Sequence, residues 1–323
     1  MVELQNKNFE VIIIDDLSNS DISVLNGITE ITNKKPQFHQ IDLKDKKALT
    51  GFFKNNKIDG VIHFAASKAV GESVKQPLKY YENNIVTLIY LLQEMEKNNV
   101  NNFIFSSSCT VYGQAEELPI TENAPVKPAV SPYGNTKQIG EEIITDQTKV
   151  SNLNAIALRY FNPIGAHPTA KIGELPLGVP QNLIPYVTQT ASGIRKELTV
   201  FGKDYNTPDG TAIRDYIHVV DLAKAHIVAM ERLLKKKNKS KMEFFNIGTG
   251  KGSSVLDVIH AFEKANHLKL NYKFDKRREG DITAAYADTT LAKNELQWKT
   301  ELSLEDALKD AWNWQQKQHV SKD

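Results

Sequence analysis

The stretch Ser131-Pro-Tyr-Gly-Asn-Thr-Lys137 sets a tyrosine and a lysine four residues apart, just after a proline. Proline suits the first turn of a helix, so Tyr133 and Lys137 fall on one face, one turn apart. A free tyrosine, with a pKa of about 10, is a poor base near neutrality. A nearby ammonium favours its phenolate, which makes the pair a device for moving a proton off a hydroxyl. By itself the pattern is weak, because a surface tyrosine and lysine one turn apart look the same.

Context strengthens it. Upstream, an apolar run ends in Phe103-Ile-Phe-Ser-Ser-Ser-Cys-Thr-Val-Tyr-Gly113. Ligands of parallel sheets bind at the carboxyl ends of strands, and Ser106, Ser107 and Ser108 leave such an end. A serine hydroxyl there could hydrogen-bond a substrate oxygen beside Tyr133; the bland alternative is an ordinary turn. Asp15 closes an earlier apolar run, where an acid can accept the ribose hydroxyls of a dinucleotide and repel a 2′-phosphate. Strand-end acids are also common turn residues. Gly248-Thr-Gly250-Lys-Gly252 is tempting as a phosphate loop, but its G-x-G-x-G spacing and the lack of an acid-ended strand after it favour a tight strand-to-helix turn. His63 and His218 sit in apolar runs and read as core residues. His226 and His260 have no second ligand at helical spacing, so no metal site is expected.

The elements that would position these groups alternate. Val11–Ile14, 60–65, 102–107 and 155–160 are short apolar runs suited to strands covered on both faces. Met1 to Asn8 reads as the tail of a helix, and 80–98 and 132–149 are helical patterns. This predicts a parallel α/β sheet over about 160 residues. The second half is less regular: 161–185 reads as loop, 198–201 and 216–219 as strands, 221–234 and 254–265 as amphipathic helices. Ser303-Leu-Glu-Asp306 has capping-box spacing before a last helix. The boundary between halves falls near residue 162.

The 323 residues carry 40 Lys plus Arg against 39 Asp plus Glu, so no basic field points to nucleic acid. The basic run Lys235–Lys241 reads as a solvated loop. One cysteine, Cys109, excludes an internal disulfide and a multi-cysteine metal site. No run approaches the ~18 apolar residues of a membrane span, and no signal peptide is present. A cytoplasmic protein without membrane or nucleic-acid partners is expected.

Taken together, several stretches resemble the extended short-chain dehydrogenase/reductase family, and within it the UDP-glucose 4-epimerase branch. They are Asp15-Asp-Leu-Ser-Asn-Ser20, His63-Phe-Ala-Ala-Ser-Lys-Ala-Val-Gly-Glu-Ser73, Phe105–Gly113, Tyr133–Lys137, Arg159-Tyr-Phe-Asn-Pro163, Gln181-Asn-Leu-Ile-Pro-Tyr186, Gly210-Thr-Ala-Ile-Arg-Asp-Tyr-Ile-His218 and Arg277-Arg-Glu-Gly-Asp281. The likeness runs along nearly the whole chain. It implies a Rossmann-like, doubly wound parallel sheet (1–162, binding NAD) and a smaller C-terminal α/β substrate domain (163–323), in a homodimer formed through the helices near 80–98 and 132–149.

The implied activity, part of galactose metabolism, inverts C4 of a UDP-hexose through a transient 4-keto sugar, with NAD tightly bound. Tyr133 would move the proton of the 4-hydroxyl, Lys137 would hold the nicotinamide ribose and depress the Tyr133 pKa, and Ser108 would orient the sugar oxygen. For NAD the resemblance implies Asp15, Asp16, Leu17, Ser18, Asn19, Ser20, Asp42, Leu43, Phe64, Ala65, Ala66, Ser67, Lys68, Asn83 and Phe161, besides Ser108, Tyr133 and Lys137. For the UDP-sugar it implies Lys68, Ser108, Thr110, Tyr133, Asn162, Asn182, Leu183, Phe201, Arg214, Arg278, Asp281 and Ala285. Arginines suit a diphosphate because they are permanent, fork-shaped donors.

Three departures from the family pattern shape the reading. Dehydratases and decarboxylases of the superfamily carry an acid just before Val-Tyr-Gly, where this chain has Cys109-Thr110; this favours the epimerase over those alternatives. Ala285 aligns with the residue that gates the sugar, and its small side chain would admit an N-acetyl group, extending the substrates to UDP-GlcNAc and UDP-GalNAc. The family's first strand and its T-G-x-x-G-x-x-G loop are expected to be missing from this chain, with a gene start set at an internal methionine codon as the simplest origin. Lacking that strand, the family order 3-2-1-4-5-6 predicts unpaired edges on its second and fourth strands, and the lost loop would impair NAD binding. A non-catalytic binder is the remaining alternative, opposed by the intact Ser108, Tyr133 and Lys137.

Overall fold

A computed structural model describes residues 1–176, 178–278 and 281–320. Strand and helix alternate through the first half: α1 (Val2–Asn6), β1 (Ile12–Asp15), α2 (Val24–Thr32), β2 (Gln37–Gln40), α3 (Lys46–Asn55), β3 (Val61–His63), α4 (Val70–Lys75), α5 (Pro77–Tyr81), α6 (Thr87–Lys97), β4 (Asn102–Ser106), α7 (Pro132–Val150) and β5 (Asn154–Tyr160). The apolar runs make the strands, as their lack of a polar face requires when helices cover both sides. Two local signals behave as their chemistry dictates. Ser131 caps α7, its hydroxyl accepting the Gly134 amide at 3.1 Å with Pro132 in the first turn. Ser303 and Asp306 cap one another's backbone at 3.1 and 2.9 Å.

The second half contributes β6 (Asn162–Ile164), α8 (Leu183–Ala191), β7 (Leu198–Phe201), β8 (Ile213–Arg214), β9 (Tyr216–His218), α9 (Val219–Leu234), β10 (Met242–Ile247), β11 (Ser253–Ser254), α10 (Val255–Asn266), β12 (Tyr272–Asp275), β13 (Ala284–Ala285) and α11 (Leu304–Val320). Its small sheets pair β12 with β7, β6 with β9, and β11-β8-β13. They pack around Val187, Val200, Ile259, Phe262 and Leu308. No helix among the described residues is long and apolar enough to cross a membrane.

Parallel pairing organises the larger part. β1 pairs with β2, and a four-stranded sheet runs β10-β5-β4-β3. Among the described residues no strand joins β1 to β3. The family order predicts free edges on its second and fourth strands, and β1 and β3 hold those places. Both sheets still lean on one core: Ile12 and Ile14 of β1 and Val61 of β3 pack against the cluster of Leu49, Phe52, Leu88 and Phe103.

Three sequence readings need correction. β2 went unread because Gln37-Phe-His-Gln40 has no apolar alternation, only ladder bonds to β1. The 161–185 stretch is not all loop: β6 lies in it and α8 begins in it. The helical pattern at 80–98 is divided into α5, a π-helical segment at Glu82–Val86, and α6. The larger sheet draws on both sides of residue 162. β10 pairs with β5, and α9 packs Leu222, Ala225 and Ala229 against Ile104 and Ile156.

Candidate active site

α7 lies against the end of β4 and brings the two expected groups there. The Lys137 ammonium donates to the Ser106 carbonyl at 2.8 Å and sits 5.8 Å from the centre of the Tyr133 ring. Both side chains are buried. The three serines at the end of β4 point three ways. Ser106 Oγ meets His226 Nε2 at 3.1 Å, and Ser107 Oγ donates to Glu141 Oε1 at 2.6 Å. Ser108 opens the 3₁₀ turn Cys109–Tyr112, its hydroxyl accepting the Thr110 amide at 3.2 Å. The Thr110 hydroxyl is shielded from water and has no partner among the described residues. Such a group is costly unless something bonds it.

The electrostatics differ from the sequence expectation in one respect. Burial pushes the Tyr133 phenol well above its ordinary value; Tyr160 adds to this and the Ser108 hydroxyl opposes it. The Lys137 ammonium, 5.8 Å from the ring centre, is directed at the Ser106 carbonyl. Lys137 is itself lowered to about 8, by burial, with Glu141 working the other way. His63 lies beside Lys137 and is lowered to about 3, by burial first and by that charge second. It packs beside both Phe103 and Phe105 as a neutral core residue.

The residues expected to hold a dinucleotide follow the carboxyl ends of β1, β2 and β3. Asp15 Oδ1 accepts the Leu17 amide at 2.7 Å and the Ser20 hydroxyl at 2.6 Å, and Asp16 Oδ1 accepts the Ser18 amide at 2.9 Å. The Asp15–Ser20 turn, with Asn19 in it, is therefore knit by its own side chains. The Ile41 amide donates to the Asp15 carbonyl at 3.2 Å, which seats Asp42 and Leu43 beside that turn. After β3 come Phe64, Ala65, Ala66, Ser67 and Lys68. Phe64 is 56% exposed, an aromatic ring held open to solvent against His226. Ser67 is fixed by Asn84, whose Oδ1 accepts its amide at 2.7 Å, and its hydroxyl accepts from Asn83 at 3.3 Å. Among the described residues no hydrogen bond links the Asp15–Ser20 turn to Tyr133.

The expected sugar-nucleotide residues form small groups, one of which lies against the serine turn. Ala285 of β13 stands in register with Arg214 of β8, and packs with Phe161, Val111 and Tyr112, Cys109 lying against them. Arg214 pairs with Asp281, whose amide donates to the Arg278 carbonyl at 3.2 Å. The Arg278 guanidinium covers the Phe201 ring at 4.8 Å. Asn162 donates its amide to the Asp215 carbonyl at 2.9 Å. Asn182 and Lys68 both reach Glu174 Oε1, at 3.0 and 3.4 Å, while Leu183 turns into the second-half core. Of the Arg277–Asp281 stretch, Glu279 and Gly280 lie outside the described residues.

The glycine turn at 248–250 holds no open cradle. Asp215 accepts the amides of Thr249 at 2.8 Å and Gly250 at 3.1 Å, the Thr249 hydroxyl at 2.6 Å and the Ala287 amide at 3.2 Å. The turn binds an anion of its own chain.

Sequence reading missed several residues that hold this site. Asn84 ties the Ser67 loop to α7 through the Thr136 hydroxyl at 3.0 Å. It lies in the π-helical segment, a distortion frequent at functional sites. Glu174 bridges two expected ligands and leaves no signal in a loop. Glu141 and Arg159 form a buried pair under the serines; the available signal was an arginine inside an apolar strand, which needs a charged partner.

A family model described as GDP-mannose 4,6 dehydratase matches residues 1–311. The UDP-glucose 4-epimerase of Bacillus subtilis (strain 168) is 49% identical over 315 residues, covering 97% of this chain and 92% of that protein. A crystal structure of the Stenotrophomonas maltophila UDP-glucose 4-epimerase, with bound NAD and formylated UDP-arabinopyranose, superposes with a TM-score of 0.96 at 44% identity, over 99% of this chain and 94% of that one. The Bifidobacterium longum enzyme, in complex with NAD⁺ and UDP, gives 0.93 at 46%, over 98% and 93%. With these strand ends, this Tyr-x-x-x-Lys helix and these relatives, the chain belongs to the extended short-chain dehydrogenase/reductase family, in its UDP-glucose 4-epimerase branch.

Proposed function

We propose that the protein interconverts UDP-glucose and UDP-galactose by inversion at sugar C4, with NAD as its tightly bound cofactor. The observation that carries this is the buried Tyr133 and Lys137 on α7, set against the Ser108 turn, in a chain 49% identical to the Bacillus subtilis epimerase. The residues present fit the two nucleoside ends of NAD. Asp15 has an oxygen, Oδ2, that makes no hydrogen bond among the described residues, and Phe64 offers an uncovered ring. None of the described residues supplies a glycine cradle for the pyrophosphate. Asp15 to Ser20, Asp42 and Leu43 would hold the adenosine half. Phe64 to Lys68, Asn83, Phe161 and Lys137 would hold the nicotinamide half. When bound, the cofactor supplies the hydride acceptor, and its positive ring favours the phenolate of Tyr133.

The chain's own groups do the rest. Tyr133 takes the proton of the sugar 4-hydroxyl and returns it to the same oxygen once the keto sugar has turned its other face, while Ser108 and the unpartnered Thr110 hydroxyl orient the sugar oxygens. Arg214 and Arg278, with Asn162, Asn182, Leu183, Phe201 and Asp281, bind the UDP and leave the sugar free to turn. Binding energy spent on the nucleotide rather than the sugar suits a reaction in which both faces must be presented. We further propose that Ala285 admits an N-acetyl group, so that UDP-GlcNAc and UDP-GalNAc are substrates too. On the same reading residues 1–162 serve NAD and 163–323 the UDP-sugar, and the enzyme is a cytoplasmic homodimer.

The family model's description names a dehydratase, so elimination of water is the competing reading. It needs an acid beside the serine. Burial pushes the Cys109 thiol up to about 12, leaving a neutral, feebly acidic group in that place. Incubation with UDP-galactose separates the readings: epimerisation gives UDP-glucose at unchanged mass, and loss of one water would refute it. Turnover confined to the unacetylated pair would remove the role given to Ala285. Absorbance of the supernatant after denaturation reads bound NAD.

A further inference from the structure

We propose that Glu141 is a positioning residue for this reaction: clamped by Arg159, its carboxylate holds the Ser107 hydroxyl and so fixes the segment on which Ser108 and Lys137 depend. The proposal rests on the epimerase reading above. Glu141 lies one turn beyond Lys137 on α7, and the two reach adjacent residues at the end of β4. Lys137 donates to the Ser106 carbonyl at 2.8 Å, and Ser107 donates to Glu141 at 2.6 Å. Helix turn and strand end thereby close a small ring of bonds that sets where Lys137 Nζ sits relative to Tyr133.

Arg159 extends the grip to the far end of the serine turn. Its Nε and Nη2 donate to the two carboxylate oxygens of Glu141 at 2.9 and 2.7 Å. Its Nη1 donates to the Tyr112 hydroxyl at 3.0 Å. Tyr112 in turn donates to Asn246 Oδ1 at 2.6 Å, and Asn246 Nδ2 to the Ile120 carbonyl at 2.8 Å. One buried ion pair thus anchors both ends of the segment from Ser107 to Tyr112, the segment that presents Ser108 and Thr110. An apolar pair would fill the same volume without the desolvation cost of two charges, so a polar anchor here points to orientation rather than stability.

Two variants test this, each checked for folding by thermal unfolding because Glu141→Gln leaves the buried Arg159 without its counter-charge. Ser107→Ala removes only the linking hydroxyl and leaves the Arg159 clamp whole; Glu141→Gln keeps the shape of the clamp. Each is expected to lower kcat about 10-fold or more while KM for UDP-galactose stays within about twofold. Because both act through one link, the double variant should be no worse than the poorer single one. Parental kcat in Ser107→Ala, or losses that add, would overturn the proposal. A second readout does not depend on turnover. The Nζ resonance of ¹⁵N-labelled lysine, assigned by Lys137→Met, reports the ammonium directly. The groups facing it are Glu141 and Tyr133 from α7, Ser106 and Phe105 from β4, and His63 from β3. Both variants should shift this resonance, and an unmoved resonance in both would also overturn the proposal. A parent chain that leaves UDP-galactose unchanged would instead refute the functional reading, with the lysine resonance still deciding the role of Glu141.

Discussion

The ammonium of Lys137 is bonded to the carbonyl of Ser106 at 2.8 Å, and burial holds its pKa near 8. A charge kept out of water for the sake of its position carries a penalty that depends on pH. The folded chain binds this proton less tightly than the unfolded chain, whose lysine titrates at the ordinary 10.5. Below pH 8 both states are protonated and the penalty is full; between 8 and 10.5 it fades as the folded state sheds the proton first.

Lys137→Met should therefore raise stability near neutrality, by on the order of 1–3 kcal/mol, and the gain should shrink toward pH 10. Turnover should fall at least ~100-fold. Urea midpoints of parent and variant at pH 7 and pH 10 check the sign. A gain that grows with pH would contradict the account.

Tyr133→Phe removes the proton carrier and nothing else of size. The expected loss in kcat is about 10² to 10⁴. Its hydroxyl is raised chiefly by burial, so the variant should fold as well as the parent. Steady-state kinetics alongside thermal unfolding separate the two effects; turnover near the parent's would move the proton transfer to another group.

Arg159→Met leaves the Glu141 carboxylate buried without its partner. A broken buried pair costs about 3–5 kcal/mol. Adding Glu141→Leu should restore much of the stability but little of the turnover. Denaturant midpoints and kcat on the single and double variants make the comparison, and a fully active double variant would count against the orientation role.

Gly248→Ala should destabilise through crowding alone. A Cβ there would meet Asp215 Oδ2 at 2.4 Å and the Ala287 Cβ at 2.9 Å. An overpacked site of this kind costs about 1–3 kcal/mol. Bound NAD per folded molecule should stay at the parental ratio, since the turn is occupied by Asp215. A selective loss of cofactor would reinstate the turn as a phosphate site.

What could be read beforehand follows from which forces leave marks in sequence. β4 and β5 announce themselves because strands covered on both faces must be apolar throughout. Tyr133 and Lys137 could be paired because helical spacing is local, and Ser131-Pro132 marks the helix start. β2 could not be read, since Gln37, Phe38, His39 and Gln40 earn their conformation from the ladder to β1 alone. Nor could the return of β10 to the first sheet, which is a matter of tertiary pairing over a long separation. The depressed Lys137 and elevated Tyr133 were out of reach for the same reason: burial is a property of the packed chain. Asp215 closing the Gly248–Gly250 turn joins residues on opposite sides of α9, where no spacing rule operates.

The division of the parallel strands into two sheets has a consequence for how the molecule holds itself together. Asp15 belongs to the smaller ribbon, in which β1 and β2 share four residue pairs; Ser108 follows β4 of the larger sheet, and Lys137, on α7 with Tyr133, is bonded to the end of that strand. So small a ladder is the sort of unit that opens independently, and its amides should exchange before those of β4 and β5. A ligand that touches Asp15 and Lys137 at once acts as a strut between the two. Its binding free energy then enters the stability of the ribbon by mass action, and the apparent ruggedness of this fold becomes a function of ligand concentration.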